Sequence, residues 1–198
     1  RRFFLLRNKR WLVIAVSSSF SWASPAEARL RFNELMYDPV GPDEAVVRQQ
    51  DGSSKKFGRE WVEIYNDGPE PITIIGGGLS NKNSWRFVDR DGAHLLAALP
   101  AIGSLTIQPN DYLILAADAN IFLQEHPGFS RNLVDTVMNL RNDQGVLQLL
   151  DGKKIIIAEV FYTANLGAAG NGRTLEWDGS DWREGFRAGG SPGQENSV

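Results

Sequence analysis

The stretch GREWVEIYNDGPEPI, residues 58–72, decides how the chain is read. Its centre alternates, with Val62 and Ile64 on one side and Trp61, Glu63 and Tyr65 on the other. That two-residue period is the signature of an extended strand. Asp67, Gly68, Pro69 and Pro71 then break it. Glu60 opens the strand on the Val62 side, so Glu60 and Glu63 point in opposite directions. Paired carboxylates that work as acid and base share a cleft about 5 to 10 Å across, and these two do not. Glu63 is therefore expected to face outward, where exchange for Gln costs no more than about 0.5 kcal/mol. To act chemically it would have to meet an acid from another strand, and Glu34 is the first candidate.

Upstream, RLRFNELMY (29–37) alternates in the same way and places Leu30, Phe32 and Glu34 on one side. Pro39 and Pro42 end it, and residues 40–59 read as a polar loop, long for a compact domain. EWVEIYN, PITIIGGGLSN, SWRFVD, GSLTIQP and DYLILAAD follow, each bounded by Asp, Asn, Gly or Pro. DANIFLQEH (118–126) is the one short helix, capped by Asp118 and stopped by Pro127 and Gly128. DTVMNL, GVLQLLD, KKIIIAEVFY and GRTLEWD complete about nine or ten short strands, which predicts an all-β antiparallel sandwich. Val62, Ile64, Leu113, Leu115, Leu147, Leu149, Ile155, Ile157 and Val160 are the expected core. Ile155 and Val160 cannot share a face without a bulge, which is placed near Ala158. In the tail, residues 178–198, Trp182 and Phe186 are expected to pack onto the sandwich.

The 198 residues are 42% hydrophobic, enough for one domain with a core. The chain has no Cys, which removes disulfides, thiol nucleophiles and thiolate metal sites. Residues 1–28 read as a cleaved export signal: a basic start, an apolar run too short to span a bilayer, and Ala26-Glu27-Ala28 before a new N-terminus at Arg29. Arg1-Arg2-Phe3-Phe4-Leu5 resembles the twin-arginine export motif, and an ordinary basic leader is the competing reading. Cleavage would leave residues 29–198 with 16 basic and 23 acidic side chains. A net charge of that sign argues against a nucleic-acid partner, and no further segment is long and apolar enough to cross a membrane. The expected location is the periplasm, cell surface or exterior.

NELMYDP (33–39), EWVEIYNDGPEPI (60–72), GGGLSN (76–81), LTIQPNDYLILAAD (105–118) and GGSPGQENSV (189–198) occur in the order expected of the lamin-tail domain. The chain resembles a bacterial, secreted member. VLQLLDGKKIIIAEVFY and GRTLEW are similar to that family's later strands. The resemblance implies an immunoglobulin-like β-sandwich that serves as an interaction module, and it attaches no catalytic residues to these motifs. Gly77 departs from the pattern, since the family usually places Trp there; Trp61 or Trp85 is expected to fill the space.

The remaining chemical signals are weak. His94 and His126, the only two histidines, lack metal-ligand spacing and are expected to be solvated or capping. The loop from Asp38 to Glu44 collects three acids, and DRDG places Asp89 and Asp91 before Gly92. Counting from Asp89, position 12 of a calcium loop would be Pro100, so the EF-hand pattern fails and a hairpin turn is the better reading. No serine-hydrolase elbow and no phosphate-binding loop is present. The sequence thus points to a non-catalytic secreted module with no cofactor, no metal and no catalytic residues, binding a cell-surface or envelope protein or polymer. A small secreted hydrolase, calcium-assisted and using Glu34 and Glu63 or the Asp38 loop, is the competing reading.

Overall fold

A computed structural model describes residues 29–198, apart from residues 49, 51, 52 and 79 and the side chain of Phe57. The export signal expected over residues 1–28 lies outside the described residues. In chain order the strands are β1 (Leu30–Met36), β2 (Glu44–Arg48), β3 (Ser54–Gly58), β4 (Trp61–Asn66), β5 (Ile72–Thr73), β6 (Arg86–Asp89) and β7 (Gly92–Leu95). They continue with β8 (Thr106–Ile107), β9 (Tyr112–Ala116), then the helix α1 (Ala119–Glu125), and β10 (Asn132–Asp135). β11 (Gln144–Leu150), β12 (Ile156–Thr163), β13 (Leu175–Trp177) and β14 (Trp182–Glu184) complete the order.

Two sheets face each other. The larger runs β10-β9-β4-β1-β13-β14 and the smaller β12-β11-β6-β7. Every pairing in them is antiparallel except β9 with β10, which α1 connects as a crossover. Between the sheets lie Phe32, Leu35, Val62, Ile64, Leu113 and Leu115 from the larger one, and Phe87, Leu147, Leu149, Val160 and Tyr162 from the smaller. Each such side chain, fully buried, contributes about 1.5–3 kcal/mol through lost water contact. The fold is the expected immunoglobulin-like sandwich, with one short α-helix among the described residues.

Most of the expected core is there, with one exception. Ile155 is 58% exposed, whereas Ile157 packs partly buried against the core and Val160 is 5% exposed. The register between β11 and β12 shifts where Leu149 faces Ala158 and Leu150 faces Ile156. Ile157 is the extra residue of that bulge, next to the expected place, and it separates Ile155 from the inward row.

Residues 40–59 are not a structureless loop. They contain the hairpin of β2 and β3, closed at its base by the Arg59 amide on the Asp43 carbonyl (2.8 Å). Most of its described side chains are exposed, so alternation gave no apolar face to recognise. In the tail, Trp182 packs against the core, but Phe186 is 71% exposed and corrects the expectation for it. Gly77 has φ +131°, a conformation Trp would adopt only with strain. Beside it the Trp85 amide bonds the Ile75 carbonyl and the ring packs against the main core, while Trp61 lies in a different cluster.

Candidate functional site

The outer face of the larger sheet carries three rows of side chains across its middle strands. At one end Met36, Trp61 and Ala116 are covered by Ala119 and Phe122 of α1. This row holds because Asp118 caps the helix, its carboxylate accepting from the amides of Asn120 and Ile121. In the next row Glu63 on β4, Glu34 on β1 and Glu176 on β13 are direct cross-strand neighbours. All three are fully buried. The third row, Arg31, Tyr65 and Tyr112, stays half-exposed.

Glu63 therefore does not face solvent, which corrects the outward reading. Alternation named its face correctly: Glu60 points the other way, where its Oε1 accepts from the Leu140 amide at 2.8 Å. What alternation could not show is that this face is covered. Glu34 also changes sides. A bulge between Phe32 and Glu34 adds one residue, so Phe32 remains in the core while Glu34 turns outward beside Glu63.

The cover over the glutamate row is the C-terminal segment, residues 189–198. Glu34 accepts from the Ser191 amide at 2.7 Å and from the Thr174 hydroxyl at 2.6 Å. Glu63 accepts from the Gly193 amide and from Asn33 Nδ2, both at 2.6 Å. Glu176 accepts from the Ser197 amide and hydroxyl. Asn196 completes the docking by donating to the carbonyls of Asn33 (3.0 Å) and Trp177 (2.8 Å). Each glutamate thus holds one backbone amide of the segment. Gly190 sits with φ +79° so close to Glu34 that an added Cβ would meet its Oε1 at 2.3 Å.

Removing carboxylates from water favours the neutral form. Burial, followed by the nearness of Glu63, pushes Glu34 well above the usual carboxylate range. Burial pushes Glu63 to about 8 against the opposing bonds from Gly193 and Asn33. Glu60, on the opposite side, is likewise raised by burial to about 8. Both oxygens of Glu63 accept hydrogen bonds, so Glu63→Gln must turn an amide donor toward one of those donors. We expect a loss of about 1–3 kcal/mol in urea melts rather than the near-neutrality of an exposed site.

The other expected sites resolve into structure. Asp89 and Gly92 are paired at the turn between β6 and β7, as the hairpin reading requires. The Asp89 carboxylate is buried and bonded to the Asp91 and Asn139 amides and to His94 Nε2. His94 is thus partnered rather than solvated. His126 caps α1, and its ring packs edge-on to Trp61 and against Phe122. Asp38 and Asp43 share Asn142 Nδ2. Among the described residues no group of three or more His, Asp or Glu is placed to hold a metal ion. Among those same residues no helix is long and apolar enough to cross a membrane.

No curated protein and no solved structure matches the chain significantly. The family model of the lamin tail domain matches residues 23–164. The matched stretch includes β1 to β12, with Glu34 and Glu63, and ends before Glu176 and the covering segment. It spans more than two thirds of the chain, and the sandwich it implies is the one observed. The chain belongs to the lamin tail domain family.

Proposed function

We infer that this chain is a non-catalytic, exported β-sandwich that acts as a structural or binding module at a cell surface or envelope. One observation carries the reading: the two acids that would serve a hydrolase, Glu34 and Glu63, are brought together but sealed. Their oxygens are occupied by Ser191, Gly193, Thr174 and Asn33, and both side chains are fully buried. A general acid or base must lie within hydrogen-bond reach of its substrate, directly or through one water, and the covering segment occupies that space. The carboxylates act as acceptors that fasten the end of the chain. Membership of a non-enzymatic, immunoglobulin-like family supports the same reading. Export rests on the basic, apolar and small-x-small pattern of residues 1–28.

The test is to assay the purified chain against chromogenic glycosides, esters and phosphoesters. Rates should equal those of buffer alone, and N-terminal sequencing of exported material should begin at Arg29. Turnover that disappears in a folded Glu63→Gln variant would make the acids catalytic. Recovery of uncleaved chain only from the cytoplasm would remove the assignment to the envelope.

A further inference from the structure

The third row of the outer face is left open by both covers, and it is aromatic. Arg31 on β1, Tyr65 on β4 and Tyr112 on β9 are successive cross-strand neighbours. The Arg31 guanidinium lies 4.8 Å from the Tyr65 ring centre, and the Tyr65 and Tyr112 rings are 5.0 Å apart, inclined at 43°. Beside them is a pocket of about 250 Å³ walled by Trp177, Glu195 and Asn196. The geometry points to a shallow binding site here for a neutral oligosaccharide of pyranose rings with equatorial hydroxyls. This inference rests on the reading of the chain as a binding module.

Three aromatic rings with amide and carboxylate groups at their rim suit a ligand that has apolar flat faces and a polar edge. A pyranose with equatorial hydroxyls has that form, since its C–H groups lie on the two faces and its hydroxyls on the rim. Other ligand classes fit less well. The cations against these rings already have acidic partners: Arg31 shares Asp67 (3.8 Å) with Arg29, and Arg131, 6.0 Å over the Tyr112 ring, is held by Asp111 at 3.1 Å, while Asp178 lines the pocket. Glu195 adds negative charge, so a phosphodiester chain finds no free positive stripe. A peptide strand would need an unpaired edge, but β1, β4 and β9 are each hydrogen-bonded on both sides.

The test is calorimetric titration of the full chain with cellohexaose, laminarihexaose and chitohexaose, with a thymidine hexanucleotide as the anionic comparison. At least one hexasaccharide should bind, and which one binds identifies the linkage. Backbone amide shifts in the unaltered chain should then change around residues 65, 112 and 177. The double variant Tyr65→Ala/Tyr112→Ala should lose about tenfold or more in affinity. Phe161→Ala, at an exposed position on the opposite sheet, should lose none. No binding by any of the three sugars, shifts confined to other residues, or tighter binding of the hexanucleotide would overturn the site. Cleavage of a hexasaccharide would count against the non-catalytic reading, whereas intact hexasaccharides that fail to bind would remove this site alone.

Discussion

Val62→Asp should abolish cooperative folding. Val62 is fully buried, with Leu35 on β1 and Leu115 on β9 as its cross-strand partners, and all three belong to the core between the sheets. A carboxylate there has no water, and the main core cluster around it is built of hydrophobic side chains. An unpaired buried charge of this kind costs more than about 4 kcal/mol, comparable to the whole stability of many domains. The same change at Val146, 49% exposed on the outer side of β11, should stay within about 0.5 kcal/mol. Urea melts followed by near-ultraviolet circular dichroism separate the two outcomes. A Val62→Asp chain that unfolds as cooperatively as the unaltered one would refute the strand register.

The second large effect is on pH dependence. Glu60 and Glu63 are raised from the ordinary range to about 8 by burial, and Glu34 is raised in the same direction. Between about pH 4.5 and 8 the unfolded chain has released these protons while the folded chain still holds them. The unfolded state then binds fewer protons, so stability falls as pH rises through this window. The contribution is fully present below about pH 4.5 and lost above about pH 8, and over several such groups it amounts to several kcal/mol. His126 works the other way at the low end, because burial depresses its pKa and stability is lost as it is forced to charge below about pH 6.5. The fall is therefore clearest from about pH 6.5 to 8, above the range of His126, and Glu60→Gln and Glu63→Gln should each flatten it. Thermal melts across that range, flat for the unaltered chain, would show that the buried carboxylates remain ionised throughout.

How much of this was legible in the sequence differs from one element to another. The inward row Val62, Ile64, Leu113, Leu115, Leu147 and Leu149 followed from alternation, and the helix from its Asp118 cap, because both are local patterns with strong physical causes. Two features hide the glutamate row from a reading by alternation. A bulge at Asn33 inserts one residue with no composition signal of its own, and it alone moves Glu34 to the outer face. The cover, residues 189–198, is polar and glycine-rich because it docks by backbone amides onto carboxylates instead of by apolar side chains. Hydrophobic periodicity is blind to such a contact. One signal was available: β4 carries large apolar residues on both faces, with Val62 and Ile64 on one and Trp61 and Tyr65 on the other. A strand apolar on both sides is covered on both sides, and Glu63 stands inside that run.

Glu34, Glu63 and Glu176 form a clasp for the C-terminal segment, and amide hydrogen exchange reads that clasp bond by bond. In the unaltered chain the amides of Ser191, Gly193 and Ser197 should be strongly protected, since each donates to a buried carboxylate. In a Glu34→Ala variant, Ser191 should lose most of its protection and Gly193 part of it, while Ile64 and Leu115 in the core keep theirs. If the three tail amides exchange in the unaltered chain as fast as those of an unstructured peptide, the clasp does not exist and the acids are open to solvent and substrate.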